Sequence, residues 1–497
     1  MILINRAIIS IMFLMNMVTI SQAKPLAVGA FCQVYPDAPA CSGSRPFCQT
    51  CHASIEPVKF NAYGGCVISK LNRSQDFYGQ IPSILKEIEQ TDCDGDGASN
   101  IAEVLQGTLP GDASSAPEQN PCGEASGSCQ TDYDYVYKKL WFDFCGEPPS
   151  WKAFQDFSKL SNEAKQTALD DQLDLCLDSQ NWLGRNGVLW QLGHSKIRPV
   201  GSIKAGEDKG IIPILDYDSD YHLYVWAQID GNDARESLLA DYSVSRIPGN
   251  ELNPDEYSKN DTDRLVDGLV MQVDKRVGLL TTFWNLAFYQ NFTAVPRVLT
   301  AQTFRAFLGI TMATYQGLIP SPTSETGFAD YDKSGVTQPE CAVCHTTIDP
   351  ATYPFKYYNG LPGVQGSILS GTTNAQLSNV ENLGSEINLT PLSYALPRIN
   401  YYVNEKGMTD LVNMPETGYV LGQRVNNLRE WAQVVTNSDL FAAKTVTDYW
   451  VLLIGEKPRS YQQEEFRKLW QDFSTVHEYS VEAMLHDLIK TEAYRVR

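Results

Sequence analysis

Two copies of the pentapeptide Cys-x-x-Cys-His constrain this 497-residue chain more than any other feature. This spacing is the attachment signature of c-type heme, in which both thiols form thioether bonds and the following imidazole becomes the proximal iron ligand. A redox-active cysteine pair, or half of a zinc site, is the alternative interpretation of each motif. The sequence predicts two covalent hemes, and their attachment and ligand residues are Cys48, Cys51 and His52 for the first and Cys341, Cys344 and His345 for the second.

The first 23 residues have the form of an export signal. Arg6 is the only charged residue before an apolar run from Ala7 to Ile20. Ser21 and Ala23 then provide the small residues that signal peptidase needs at positions −3 and −1. We expect cleavage before Lys24 and a periplasmic or extracellular location. An uncleaved anchor is the alternative, but the run is shorter than the about 20 residues that span a bilayer. No later stretch reaches that length without charges, so no membrane span is expected after cleavage.

Helical periodicity recurs along most of the chain and predicts a mainly α protein. We expect two cytochrome c-like heme domains, at residues 24–120 and 326–497, flanking a largely helical middle domain at 121–325. Helices are predicted over 81–90, within 133–182, over 265–288, from Pro296 onward and near the C-terminus, where Val481, Met484, Leu485, Leu488 and Ile489 share one face. Only residues 211–229 show the partial alternation of a strand.

The residue opposite the histidine on each iron separates electron transfer from catalysis. Downstream of the second motif, Met414 stands in an Asn-Met-Pro-Glu segment that resembles the Met-Pro ligand loop of class I cytochromes c. Met414 is therefore the predicted sixth ligand of the second heme. Met408 is the alternative.

The sixth ligand of the first heme has no local candidate, because residues 53–193 contain neither His nor Met. His194 and His222 are the nearest candidates along the chain. The α-amino group of Lys24, newly formed by signal cleavage, is a further option. If none of them binds, the first iron keeps an open position.

Residues 92–103 match the twelve-residue calcium loop of the EF-hand, which places oxygen ligands at positions 1, 3, 5, 7, 9 and 12 and a glycine at position 6. The predicted ligands of one Ca²⁺ are Asp92, Asp94, Asp96, the Ala98 carbonyl, Asn100 and Glu103. Ser99 occupies the usually apolar position 8, which resembles single calcium loops of dockerin-like and thrombospondin-type repeats. A structural clamp is expected, and an acidic turn without metal is the alternative.

Eight cysteines remain outside the two pentapeptides, and an even number in an exported protein indicates disulfide bonds. The sequence does not choose among the pairings. Proximity along the chain suggests Cys32 with Cys41, Cys66 with Cys93, Cys122 with Cys129, and Cys145 with Cys176.

The net charge of −20 excludes whole classes of partner. A nucleic-acid backbone or an anionic membrane surface would be repelled by such a surface. We therefore expect no nucleic acid, and a basic redox protein, or another electron donor or acceptor, as the partner.

Several segments resemble a known group of proteins. The stretches VGLLTTFWNLAF, VPRVLTAQTFRAFLGI, CAVCHTTIDPATYPFKYYNGL and LIKTEAYRVR are similar to large secreted bacterial cytochrome-like proteins, whose domains mostly have unknown function. The resemblance implies a helical region leading into a cytochrome c-like domain with an Ile-Asp-Pro turn after its heme motif, here residues 348–350. CQTCHASIEPVKFNAYGG and DCDGDGASNIAEVLQGTLPGD resemble an exported cytochrome module with a calcium loop.

The expected function is electron transfer outside the cytoplasm by an exported diheme c-type cytochrome. The main alternative is a peroxidase-like or oxygenase-like heme enzyme that works at the first heme. Diheme peroxidases and related oxygenases also carry two such motifs, usually closer together. A calcium-stabilised scaffold in a conductive layer is a third alternative. No distal acid or base constellation is identifiable, so no catalytic residue is assigned.

Overall fold

The computed structural model describes residues 26–36, 38–42, 48–55, 58–72, 74–117, 122, 131–197, 218–250, 253–260, 273–282, 285–286, 297–310, 339–358 and 414–496. Within these ranges the protein is mainly helical, as predicted, with three two-stranded antiparallel sheets. None of the helices in these ranges is both long enough and apolar enough to cross a membrane. The predicted signal peptide, Lys24 and Met408 lie outside the described residues.

The N-terminal part surrounds one β-ribbon with short helices. Its elements are α1 (Leu26–Val34), α2 (Cys48–Cys51), β1 (His52–Ile55), β2 (Val58–Phe60), α3 (Ala62–Lys70), α4 (Phe77–Glu87) and α5 (Asn100–Gln106). The helix predicted over 81–90 is confirmed as α4, which begins earlier because Asp76 caps it by accepting the Gly79 N–H at 2.7 Å. Its apolar face is buried and packs on α1.

The middle part is a set of helices with one β-ribbon. Its elements are α6 (Tyr133–Leu140), α7 (Trp151–Ser158), α8 (Asn162–Leu177), α9 (Gln180–Leu183), α10 (Val188–Ile197), α11 (Asp218–Trp226), α12 (Glu236–Leu239), β3 (Val244–Ile247), β4 (Glu256–Lys259) and α13 (Arg297–Thr303). The helices predicted within 133–182 are confirmed. Ser150, Ser161 and Ser179 cap three of them by accepting backbone N–H groups.

One prediction in this part is wrong, and another is met only in part. Residues 218–226 form helix α11 and not a strand, and Tyr221, Tyr224 and Val225 are buried on several sides of this helix, which carries no single polar face. Of the helix predicted over 265–288, residues 273–282 contain two short 3₁₀ turns, residues 285–286 are helical, and the rest lie outside the described residues. Gly278 interrupts the predicted helix with a φ of 45° and packs so closely that a Cβ would lie 2.5 Å from the Ser237 carbonyl oxygen.

The C-terminal part contains one helix with the second Cys-x-x-Cys-His pentapeptide and a helical bundle at the end of the chain. Its elements are α14 (Pro339–Thr352), β5 (Gly418–Val420), β6 (Gln423–Val425), α15 (Leu428–Thr436), α16 (Asp439–Ile454), α17 (Gln463–Thr475), α18 (Val481–Leu488) and α19 (Glu492–Arg495). The apolar face predicted near the C-terminus is confirmed, since its five residues are buried in and just after α18.

The terminal bundle contacts both other parts of the chain. Helix α17 packs on α5, α18 packs on α8 and α19 packs on α6. Lys139 on α6 donates to the Leu453 carbonyl at 2.6 Å. One continuous hydrophobic cluster includes residues from Ala30 to Tyr494. The domain boundaries proposed from the sequence stay predictions.

Three of the four predicted disulfides are present. They join Cys32 to Cys41, Cys66 to Cys93, and Cys145 to Cys176. Cys122 is also disulfide-bonded. Its predicted partner, Cys129, lies outside the described residues.

Candidate heme and metal sites

Helix α14 carries the whole second pentapeptide. Cys341, Cys344 and His345 stand at positions i, i+3 and i+4, so they share one face of the helix. Asp349 follows four residues after His345 and belongs to the same face. Two cysteines and a histidine at this spacing along one helix match the pattern that covalent heme attachment requires.

A buried ion pair holds the ring of His345. Its Nδ1 atom lies 3.1 Å from Oδ1 of Asp349, a residue with no exposed surface. Arg297 on α13 binds the same carboxylate twice, from Nε to Oδ1 at 2.5 Å and from Nη2 to Oδ2 at 2.8 Å. A carboxylate paired with a guanidinium only accepts hydrogen bonds, so Nδ1 carries the ring proton. In the neutral form of the ring, the lone pair is then on Nε2.

The segment that begins at Met414 packs beside α14. Met414 is buried with 1% of its surface exposed and precedes β5 by four residues. Strand β5 contacts α14 so closely that a Cβ on Gly418 would lie 2.4 Å from the Pro350 carbonyl oxygen. This packing places the candidate methionine segment next to the helix of the second motif. Ligation by Met414 stays a prediction.

The first pentapeptide has a different local structure. Its cysteines form the single turn of α2, and His52 begins strand β1. Cys48 and Cys51 have free thiols, whereas the other cysteines with described side chains are disulfide-bonded. Cys48 is exposed, while burial raises the pKa of the Cys51 thiol to about 12.

The N-terminus of α3 holds this turn in place. Asn61 donates its backbone N–H to the Cys51 carbonyl at 3.1 Å. Its side-chain amide donates to the carbonyls of Gln49 and Thr50, while its Oδ1 caps α3 through the Gly64 N–H. Gly64 is required here, because a Cβ would lie 2.1 Å from the Cys51 carbonyl oxygen.

His52 lacks the kind of support that His345 has. Its ring lies against Phe60 with centroids 4.7 Å apart. Its Nδ1 atom is buried and has no hydrogen-bond partner in the part of the chain that the structure describes. The two pentapeptides therefore differ in how their histidines are held.

His194 and His222 lie on two neighbouring helices of the middle part. His194 on α10 is exposed, and its Nδ1 is 2.6 Å from the Tyr221 hydroxyl. His222 on α11 has an unpartnered Nδ1, and burial lowers its pKa to about 4. Helices α10 and α11 pack on each other, and α11 also packs on β3. Across the described residues, neither helix has an extensive contact with α2, so their role as ligands stays a prediction.

The acidic loop 92–103 adopts a tight turn around its first carboxylates. Ligand oxygens of Asp92, Asp94 and Asp96 lie within 4.8 Å of one another. Gly95 and Gly97 have φ values of 83° and 99°, which is the left-handed region that glycine adopts at little cost. Their N–H groups donate to the Asp92 carboxylate at 2.7 and 2.9 Å and hold its pKa below its ordinary value.

The far end of the loop contains buried oxygens that lack partners. Glu103 has no exposed surface, and neither of its carboxylate oxygens has a hydrogen-bond partner among the described residues. Burial, followed by the charges of Asp94, Asp96 and Asp92, raises the pKa of Glu103 to about 8. Oδ1 of Asn100 and one oxygen each of Asp94 and Asp96 are also buried and unpaired.

This arrangement fits a hard divalent cation. An unpaired buried polar group costs about 1 to 3 kcal/mol, and more when it is charged. Calcium takes six to eight oxygen ligands and would satisfy all of these atoms together. The Ala98 N–H donates to Oδ1 of Asp96 at 2.8 Å, which holds the position whose carbonyl is predicted to bind.

Sequence reasoning missed the residues that support both histidine motifs. The spacing in the sequence could have identified Asp349, since it follows His345 by one helical turn. No pattern indicated Arg297, because it lies 52 residues before Asp349 and supports His345 only through that carboxylate, which tertiary packing brings within reach. Asn61 and Gly64 also carry no motif of their own.

Comparison with known proteins adds no relative, because no family model, no curated protein and no solved structure matches this chain.

Proposed function

We propose that the protein is an exported diheme c-type cytochrome that transfers electrons outside the cytoplasm. The observation that carries the proposal is the distribution of thiols. Cys48 and Cys51 stay free next to an imidazole, while the other cysteines with described side chains are oxidised. A free vicinal pair of this kind is what thioether attachment requires.

The residues of the two pentapeptides would attach the hemes and bind their irons. Bound heme supplies a one-electron iron couple. The two cysteines of each pentapeptide attach it, and His52 and His345 provide the proximal ligands. Met414 as a sixth ligand closes the second site to substrates, which favours electron transfer over catalysis.

The acidic loop is proposed to hold one Ca²⁺ as a structural clamp. Four of its six ligand groups lie in the loop between α4 and α5, and Asn100 and Glu103 lie in the first turn of α5, so the cation would fasten the loop to this helix of the N-terminal part. Extracellular calcium modules bind in the range of about 10⁻⁴ to 10⁻³ M, which suits a constitutively filled site outside the cell.

Disulfides support a location outside the cytoplasm, because thiols stay reduced inside it. A net charge of −20 favours a basic redox partner. The rate of electron transfer to such a partner is expected to fall as salt rises, since ions screen the attraction between the two surfaces.

Intact mass after expression with a cytochrome c maturation system tests the proposal. The parent chain is expected to carry two heme units. Cys48→Ala/Cys51→Ala and Cys341→Ala/Cys344→Ala are each expected to lose one. Cys32→Ala/Cys41→Ala is the matched control, because it removes two cysteines of a disulfide and should keep both hemes. A parent chain with fewer than two hemes contradicts the proposal.

A heme enzyme acting at the first motif is the second candidate. It is favoured by the absence of His and Met from residues 53–193, which leaves the first motif without a local sixth ligand. An iron without a sixth ligand is open to peroxide. Cyanide titration of Cys341→Ala/Cys344→Ala, which keeps only the first heme, separates the two functions. A high-spin spectrum that cyanide converts supports the enzyme, and a low-spin spectrum that cyanide leaves unchanged supports the electron carrier.

A further inference from the structure

We propose that Asp349 is a positioning residue that holds His345 through its ring N–H and thereby lowers the reduction potential of the second heme. The inference rests on the proposed function, since it needs heme on Cys341 and Cys344. It goes further by assigning a role to a residue outside the attachment motif and by stating how that residue tunes the iron.

The geometry around His345 is that of an oriented ligand. Asp349 lies one turn along α14, and its Oδ1 is 3.1 Å from Nδ1 of the imidazole. This contact fixes the tautomer with the proton on Nδ1 and directs the lone pair of Nε2 to the opposite side of the ring. Histidines that bind metals commonly donate their other ring N–H to a carboxylate, which orients the ring and raises its basicity.

Arg297 makes this carboxylate a rigid acceptor. Its fork binds both oxygens of Asp349, so the carboxylate is held at two points and cannot rotate away from His345. Because Asp349 is fully buried, water does not replace either contact. A more basic imidazole stabilises the ferric iron more than the ferrous iron, and the potential falls.

The first motif provides an internal contrast. Among the described residues, the buried Nδ1 of His52 has no hydrogen-bond partner. Within that part of the chain, a carboxylate therefore supports the histidine of the second pentapeptide and not that of the first. This difference would allow one chain to hold two c hemes with separately tuned potentials.

A purely structural role for the ion pair predicts a different result. Asp349 also joins α13 to α14 through Arg297, and loss of that contact alone would reduce stability without moving the potential. The test therefore compares Asp349→Asn with Asp255→Asn in the full chain. Asp255 is similarly buried and paired, since it is 2% exposed and accepts from Nη1 of Arg246 at 2.6 Å, but it belongs to the middle part.

The parent for this experiment is Cys48→Ala/Cys51→Ala, which leaves only the second heme. In Asp349→Asn we expect the equilibrium constant for reduction to rise at least tenfold, which is about 59 mV for a one-electron couple. In the reduced protein labelled with ¹⁵N-histidine, the Nδ1–H resonance of His345 is also expected to shift. Asp255→Asn is expected to lose stability while both readouts stay at the parent values.

Each result decides a separate question. An unchanged potential and ring resonance in Asp349→Asn overturn the inference. If Asp349→Asn does not retain heme, Arg297→Lys is used in its place, because lysine keeps the positive charge and removes only the two-point contact of the guanidinium with Asp349. An unchanged His345 resonance in Arg297→Lys also overturns the inference. A parent that carries no heme on Cys341 and Cys344 overturns the proposed function instead.

Discussion

Cys93, the second residue of the acidic loop, is disulfide-bonded to Cys66 on helix α3. The N-terminus of the same helix holds the first pentapeptide through Asn61 and Gly64. Nδ2 of Asn100, a predicted calcium ligand, also lies 3.1 Å from the Cys93 sulfur. One covalent bond therefore connects the candidate calcium site to the candidate attachment site of the first heme.

Calcium is expected to stabilise the N-terminal part of the chain, and Glu103→Gln tests whether Glu103 is one of its ligands. Without calcium at neutral pH this variant should be more stable than the parent by about 1 to 3 kcal/mol, because folding of the parent must either bind a proton at Glu103 or bury its charge. It should also lose most of the increase in melting temperature that calcium produces in the parent. Thermal unfolding with calcium and with chelator measures both effects.

Asp112→Asn is the control for that experiment, since Asp112 is an exposed acid just beyond the loop. It should keep the parent response to calcium. A Glu103→Gln variant that responds to calcium as the parent does would contradict ligation by this residue.

Removal of the Cys66–Cys93 disulfide should uncouple calcium from the first heme. Cys66→Ala/Cys93→Ala is expected to cost about 2 to 4 kcal/mol of unfolding free energy, and calcium should then protect the first heme less against denaturant. The Soret band of the Cys341→Ala/Cys344→Ala background reports this heme alone.

Cys145→Ala/Cys176→Ala is the matched control, because the disulfide that it removes closes a loop of similar length, 31 residues against 27. It should cost comparable stability and leave the calcium effect intact. Equal loss of the calcium effect in both double variants would rule out the specific coupling.

Gly64→Ala should disturb the first attachment site. A Cβ at this position would lie 2.1 Å from the Cys51 carbonyl oxygen, so α2 and α3 would have to separate. We expect less covalent heme per chain at the first motif, measured by the pyridine hemochrome assay in the Cys341→Ala/Cys344→Ala background. Gly65→Ala is the control, because no atom lies within 4 Å of its Cβ position and it should keep full loading. Equal loading in both variants would show that the close approach is unimportant.

Lys196 should make stability rise with pH in the weakly alkaline range. Burial lowers its pKa from 10.5 to about 8, although Asp448 accepts from its Nζ at 2.9 Å. Between pH 8 and 9.5 the unfolded chain then binds more protons than the folded one, so the unfolding free energy increases with pH. The contribution has a slope of up to about 1.4 kcal/mol per pH unit.

Lys196→Met should remove this contribution, whereas Lys152→Met should keep it, because the Lys152 side chain is 89% exposed. Urea unfolding at several pH values measures the slope for each protein. A slope in Lys196→Met that equals the parent slope would contradict the prediction.

Local patterns in the sequence were sufficient for the features that depend on near neighbours. The spacing of Asp92 to Glu103 predicted a loop that the structure builds with its glycines in left-handed conformations. Short separations also predicted the Cys32–Cys41, Cys66–Cys93 and Cys145–Cys176 pairs. Such features follow from the sequence because a few consecutive residues determine both their geometry and their chemistry.

Tertiary packing decided the features that join distant residues. The Arg297–Asp349 pair, the approach of Gly418 to Pro350 and the turn at Gly278 each depend on a partner that no local pattern identifies. Helix α11 was misread for the same reason, since its buried aromatic residues contact several neighbours and leave no amphipathic period. Bringing such distant residues together costs chain entropy, and only the complete hydrophobic core offsets that cost. The sequence by itself therefore determined which donor groups are present, whereas the folded core determined which residues orient them.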